Sequence, residues 1–308
     1  MKSKKQRILI TGCAGFIGFH LTLRLLNNKK YKVYGIDNMN NYYDLNLKKD
    51  RLAILKQNKN FNFYKINIEI NNQVLKNFRR IKYDFIIHLA AQAGVRHSIT
   101  NPRPYLDANI NGFFNILDAA RLIKVKHLIY ASTSSVYGES NKFPLRENYP
   151  TSSPSSFYAA TKKANEVMAY AYSHIYKMKT TGLRFFTVYG PYGRPDMALF
   201  KFTKAITENK YLELFNKGDH QRDFTYIDDI VQGIINLINV KNKDKFQLFN
   251  IGSGRPKRLR GFLYLIEKFL GKKAKTKMRK FQIGDVYKTH ASISKIQNEI
   301  GYKPRFKL

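Results

Sequence analysis

Cysteine is almost absent from this chain. Cys13 is the only one in 308 residues, which excludes a disulfide framework and any metal site built on cysteine pairs. That usage fits a reducing compartment, and no metal is expected. Long apolar runs are missing as well. No stretch approaches the ~18 apolar residues that a membrane-crossing helix needs. The basic start Met1–Arg7 meets only a few apolar residues before Thr11-Gly12, too few for a secretory leader. A cytoplasmic protein without a membrane partner is the expectation. Acidic residues are scarce: 21 Asp and Glu stand against 55 Lys and Arg, a formal charge of +34. Such a balance raises nucleic acid as a partner. The lysines, however, are spread through every segment, densest at Lys2–Arg7 and Lys272–Lys280, and no zinc spacing, basic zipper or RNA-binding signature accompanies them. They read as solvated faces, and no nucleic-acid partner is expected. A diffuse positive field still helps to gather an anionic substrate.

What is present is a regular alternation. Strand-length apolar runs at Arg7–Thr11, Lys32–Ile36, Phe61–Ile66, Phe85–Leu89, His127–Ser132 and Thr180–Phe185 are separated by helix-period segments. Those segments are Phe16–Asn27, Leu45–Lys56, Pro104–Leu122 and Phe157–Tyr176. This is the signature of βαβ units and a doubly wound parallel sheet of the Rossmann type, an α/β fold. The rhythm changes near Tyr189, where turns interrupt shorter elements, and helices return at Ala198–Glu208, Asp228–Asn239, Leu259–Leu270 and Ser292–Ile300. The expected division is a dinucleotide-binding domain over 1–188, with returning segments at about 224–251, and a smaller interleaved lobe mainly over 189–308.

The first strand ends in Thr11-Gly12-Cys-Ala-Gly15-Phe16-Ile17-Gly18 and opens directly into a helix. Glycines at this spacing allow a tight turn and a close approach of backbone to a pyrophosphate, which the helix N-terminus then holds. Asp37 closes the second strand, followed by Asn38. A carboxylate there accepts from adenosine ribose hydroxyls and repels a 2′-phosphate, so NAD is favoured over NADP. The fourth strand runs into His88-Leu89-Ala90-Ala91, small residues against which a flat cofactor can lie. His88 itself reads as a packed strand residue, and Cys13 as a small apolar filler.

Tyr158 and Lys162 are four residues apart on a helical segment, hence on one face. A nearby ammonium favours the phenolate, so the tyrosine can take a proton from an alcohol as hydride leaves the same carbon. The hydroxyl-rich run Ser132-Thr133-Ser134-Ser135-Val-Tyr-Gly138, at the end of the fifth strand, is placed to reach the same crevice.

The glycine loop, His-Leu-Ala-Ala, Ser-Thr-Ser-Ser-Val-Tyr-Gly, Tyr-Ala-Ala-Thr-Lys and Arg184-Phe-Phe-Thr-Val-Tyr-Gly-Pro191 resemble, in matching order, the extended short-chain dehydrogenase/reductase family. Gly35–Asp44, Gly193–Thr203 and Arg222–Asp229 resemble, more narrowly, the UDP-glucuronate 4-epimerases within it. The resemblance implies that Thr133 binds the sugar O4, that Tyr158 removes its proton, and that Lys162 holds the nicotinamide ribose and lowers the tyrosine pKa. It implies cofactor contacts from the glycine loop, Asp37, Asn38, Ile68 and the Leu89–Ala91 segment. Arg222 would meet the UDP diphosphate, and Gln282 and Asp285 the nucleoside. A homodimer through Pro104–Leu122 and Phe157–Tyr176 is the family expectation.

Fold and cofactor do not choose the reaction. Dehydratases resemble Thr-Asp-Glu at the hydroxyl run, and decarboxylases place a Glu just before Val-Tyr-Gly; Ser134 and Ser135 stand there instead. Neutral hydroxyls can hold a carboxylate without repelling it, with Thr187 and Arg194 as further partners. A UDP-glucose or UDP-GlcNAc type of 4-epimerase and a UDP-glucuronate decarboxylase remain alternatives. From another class, so does a nucleic-acid-binding protein on a catalytically dead core.

Overall fold

The computed structural model describes residues 5–240, 244–282 and 284–308. The basic cluster that begins at Lys2 therefore lies partly outside the described residues. Five consecutive helical connections join β1 (Gln6–Thr11), β2 (Tyr31–Asp37), β3 (Phe61–Lys65), β4 (Phe85–His88), β5 (His127–Thr133) and β6 (Thr180–Phe185). With the strand Phe246–Ile251 they form one seven-stranded sheet, in the order Phe246–Ile251, β6, β5, β4, β1, β2, β3, and each pair in it is parallel. The chain reverses direction across the sheet at β1, which lies between β2 and β4. A crevice opens there at the carboxyl ends of the strands, the place where open α/β sheets take ligands.

Side-chain alternation explains why the sheet is covered on both faces. On β1, Ile8 and Ile10 join a core shared with the helices Phe16–Leu26, Leu45–Lys56 and Ile227–Asn239. Leu9 between them joins a second core with Asn71–Arg80, Gly112–Leu122 and Phe157–Tyr176. Phe246–Ile251 and Ile227–Asn239 belong to this sheet and its cover although they follow residue 188 in the chain.

The rest of the later chain builds a smaller body. Phe202, Ile206, Leu212, Leu214, Phe224, Phe262, Leu263 and Ile266 form its core. Three short strand pairs frame it: Thr187–Tyr189 with Phe224–Tyr226, Tyr211–Phe215 with Lys275–Arg279, and Gln221–Arg222 with Lys257–Arg258.

Two departures from the sequence reading are informative. The helix Asn71–Arg80 was not foreseen, because Val74 and Phe78 are its only buried apolar residues among Asn, Lys and Arg. Pro104–Leu122 is not one regular α-helix either. It contains a π-turn at Leu106–Asn111, between the short turn Arg103–Tyr105 and the helix Gly112–Leu122. Among the described residues no helix is long and apolar enough to cross a membrane.

Candidate active site

A cavity of about 1060 Å³ runs along the crevice between the sheet and the smaller body. Every residue singled out from the sequence as a site candidate lines it.

At one end is the glycine loop. Gly12 has φ +72°, and a Cβ on it would lie 2.8 Å from the Ala90 nitrogen. On Gly18 a Cβ would stand 2.1 Å from the Gly12 carbonyl oxygen. Only glycine lets these segments touch. The loop is tied down by Gly12 N–H to the Ile36 carbonyl at 2.7 Å and Gly15 N–H to the Gly12 carbonyl at 2.9 Å. The following helix, Phe16–Leu26, has no side chain capping its N-terminus, so its first N–H groups are available to the cavity. Asp37 is buried and accepts from the N–H groups of Ala14 at 3.1 Å and Met39 at 2.9 Å. Those bonds hold its carboxylate in place and leave lone pairs for a ribose diol. Asn38, Ile68, Leu89, Ala90 and Ala91 complete the wall. The cradle fits an NAD molecule. His88 packs as expected: its Nδ1 is 2.8 Å from the Thr11 hydroxyl, and burial pushes it down to about 3, so the ring is neutral. Cys13 is fully buried.

The middle of the cavity holds the reacting groups. Ser156 caps the helix Phe157–Tyr176 by accepting from Ala159 N–H at 3.1 Å, and Ser98 Oγ accepts from Tyr158 N–H at 3.1 Å. Tyr158 is thus fixed at its backbone. The π-turn has a use here, as such turns often do at functional sites. Its Asn109 side chain binds Gln92 through both backbone groups, at 2.8 and 3.0 Å, and donates to Thr161 Oγ1 at 3.1 Å. One buried amide therefore joins the cofactor-lining segment after β4 to the helix that carries Tyr158 and Lys162.

Lys162 is almost completely buried and has no hydrogen-bond partner among the described residues. Burial pulls its pKa down to about 8, against the opposing pull of Glu166. A buried ammonium without an acceptor is the cost of a site awaiting a ligand, and ribose hydroxyls match the need. Glu166 is itself occupied. It takes two bonds of 2.8 Å from Arg184 and one of 2.7 Å from Ser132, anchoring the helix to β5 and β6. The Tyr158 phenol is pushed up by burial and pulled back by the Arg194 charge and by the Thr133 hydroxyl. That the Arg194 charge also reaches Tyr158 was not legible in the sequence. Thr133, at the end of β5, accepts from Ser135 N–H at 3.2 Å and donates to Ser135 Oγ at 3.2 Å. Thr133, Ser134, Ser135 and Thr187 line the same cavity.

At the far end Arg222 donates to Asp285 at 2.8 Å, and Arg96 reaches the other oxygen of that carboxylate at 3.2 Å. Among the described residues the buried Nε2 of His220 and Oε1 of Gln282 have no hydrogen-bond partner, and His220 Nε2 lies 3.8 Å from Asp285, too far for a hydrogen bond. Two guanidinium groups with unpaired polar neighbours suit a nucleoside diphosphate. Sequence reasoning missed Arg96, His220, Asp196, Tyr42 and Lys48, all of which line the cavity.

Known proteins resemble this chain over nearly its whole length. "Protein CapI" of Staphylococcus aureus is 46% identical over 315 residues, covering 97% of this chain and 94% of that protein. A "Probable UDP-glucuronate 4-epimerase" of Rhizobium meliloti is 43% identical over 316 residues, covering 97% and 92%. The crystal structure of UDP-glucuronic acid 4-epimerase from Bacillus cereus, in complex with UDP-glucuronic acid and NAD, superposes with a TM-score of 0.93. It is 36% identical, with 98% of this chain and 95% of that chain covered. Residues 8–252 match the NAD dependent epimerase/dehydratase family, and the chain belongs to that family.

Proposed function

We propose that this chain interconverts UDP-glucuronate and UDP-galacturonate by epimerisation at C4, with NAD held in the cavity throughout. The observation that carries this reading is the composition of the cavity's middle. A tyrosine base, a threonine and paired serine hydroxyls, and Arg194 meet there, and positions 134 and 135 carry no carboxylate. The likeness to an enzyme solved with UDP-glucuronic acid and NAD supports it.

Arg222, Arg96, His220 and Gln282 hold the UDP end. Thr133 donates to the sugar O4, and Tyr158 takes the O4 proton as the C4 hydrogen departs. Bound NAD supplies the hydride acceptor and the donor for the same carbon. Lys162 supplies an ammonium to the nicotinamide ribose, which relieves its own buried charge. Asp37 and Asn38 take the adenosine ribose, and the N–H groups of the Gly12–Gly18 loop take the pyrophosphate. The 4-keto sugar turns over and presents its other face, and Tyr158 returns the proton to O4. Ser134, Ser135 and Thr187 donate to the C6 carboxylate without adding negative charge beside it. That matters because a 4-keto uronate is a β-keto acid and readily loses CO2.

We assign residues 1–188, with the returning segments, to cofactor binding and the remainder to the UDP-sugar, and place the enzyme in the cytoplasm. The helices Gly112–Leu122 and Phe157–Tyr176 expose Phe114, Leu122, Val167, Tyr170 and Ile175 at 45–63%, an apolar face suited to pairing with a second copy. Sedimentation velocity should return the mass of a dimer; a monomer at micromolar concentration contradicts this pairing.

The substrate is tested by incubating the purified protein with UDP-glucuronate without added NAD and resolving the nucleotide sugars. UDP-galacturonate is the expected product. Faster turnover of UDP-glucose, or UDP-pentose as the main product, contradicts the assignment.

A further inference from the structure

Arg194 does not face the reacting groups as a bare cation. Its Nε donates to Asp196 Oδ1 at 3.0 Å and its Nη2 to Asp196 Oδ2, a two-point grip. Asp196 is held in turn by the Tyr42 hydroxyl, 3.4 Å from Oδ2, which comes from the loop after β2. Gly94, at φ +107°, makes room for that hydroxyl; a Cβ there would lie 2.5 Å from it. The Tyr42 ring meets His97 edge-on at 5.1 Å, His97 Nδ1 is 3.2 Å from the Tyr105 hydroxyl, and the Tyr105 ring packs edge-on at 6.1 Å against Tyr158. Arg194, Asp196, Tyr42, His97, Tyr105 and Tyr158 thus form a chain of side chains along the cavity, and the Arg194 charge acts on the Tyr158 phenol at its end. Cofactor-side and lobe-side elements both contribute to it.

We propose that Asp196 is a positioning residue that limits how much of the Arg194 charge reaches the sugar O4, and so keeps the carboxyl group of the uronate on the ring. This deepens the UDP-glucuronate reading and rests on it. At the 4-keto stage, loss of CO2 breaks the C5–C6 bond. Its electron pair forms a C4–C5 double bond and leaves the negative charge on O4. A proton then adds at C5, giving a 4-keto pentose. The oxygen that gathers this charge is the one that Tyr158 and Thr133 hold. An unneutralised guanidinium close by stabilises that enolate; one gripped by a carboxylate does so far less, because the two charges nearly cancel at a distance. Asp196 therefore lets Arg194 serve as a hydrogen-bond donor while weakening, without abolishing, its field at O4.

The test is Asp196→Asn in the full chain, assayed with UDP-glucuronate. The share of turnover leaving as UDP-pentose and UDP-4-keto-pentose should rise roughly tenfold over the wild type. The acid limb of the kcat profile should move to lower pH, because the freed Arg194 favours the Tyr158 phenolate. Lys162 on the same helix, Thr133 from β5 and Tyr105 across the cavity are unchanged in this variant. Tyr42→Phe should shift both readouts less in the same direction, and Asp196→Glu should restore the product ratio towards that of the wild type. An Asp196→Asn protein that retains NAD but shows the wild-type product ratio and an unshifted limb overturns the proposal. Should that variant fail to fold, an unchanged product ratio in Tyr42→Phe overturns it. A wild type that does not turn over UDP-glucuronate sinks the substrate reading instead; the acid-limb shift, measured on whichever UDP-hexose is accepted, then decides the hold of Asp196 on Arg194.

Discussion

Lys162 shows at a single residue what the site costs the fold. Burial holds its pKa at about 8, below the ordinary 10.5. A lysine with a depressed folded pKa penalises folding below that pKa, where the folded protein must bury the charge. As pH rises from about 8 to about 10.5 the folded form sheds its proton while the unfolded chain keeps it, so the penalty fades. Lys162→Met should therefore raise the stability of the cofactor-free protein at pH 7 by up to about 3 kcal/mol, with activity lost. That gain should vanish at pH 10.5 and above. Denaturant melts of both proteins across this range check it; an equal difference at every pH contradicts a buried ammonium. Tyr158 and Lys162 were readable in the sequence because four residues on a helix fix their relation. Asp196, Tyr42, Arg96 and His220 were not. Tyr42 meets Asp196 across 154 residues and Arg96 meets Asp285 across 189, and no local pattern records such pairs.

Among the elements, long periodic segments were the legible ones. Leu45–Lys56, Phe157–Tyr176 and Leu259–Leu270 run as their apolar spacing says, and β6 likewise. The π-turn at Leu106–Asn111 was hidden, since one added residue per turn leaves the apolar pattern of Pro104–Leu122 nearly unchanged. Yet this irregular turn delivers Asn109 to Gln92 and Thr161. Asn109→Ala strands the Gln92 N–H and C=O in a buried setting and should cost about 2–4 kcal/mol. It should also lower kcat, because the cofactor-lining segment and the Tyr158 helix lose their common tie. Chemical unfolding together with steady-state rates checks both. A fully stable, fully active variant shows that the tie is dispensable. The helix Asn71–Arg80 was invisible for a different reason: it buries only Val74 and Phe78, with Leu75 partly buried beside them, and borrows the rest of its stability from packing.

At the scale of the molecule, alternating strands and helices predict the parallel sheet, and the glycine loop with Asp37 marks the cofactor's crevice. The way the later chain returns to complete that sheet through Phe246–Ile251 was legible only in outline. The net charge of +34 is mostly spread away from the cavity: of the cations that line it, Arg222, Arg96 and Arg194 are each tied to an aspartate, and Lys162 is buried. In the proposed reaction hydride leaves and re-enters the same carbon, and only the O4 proton is exchanged through Tyr158. Turnover of UDP-glucuronate in D2O without added NAD, followed by NMR of the nucleotide sugars, tests it most directly. The expected product is UDP-galacturonate carrying no deuterium at C4; deuterium at C4, or a UDP-pentose labelled at C5 as the dominant product, contradicts it.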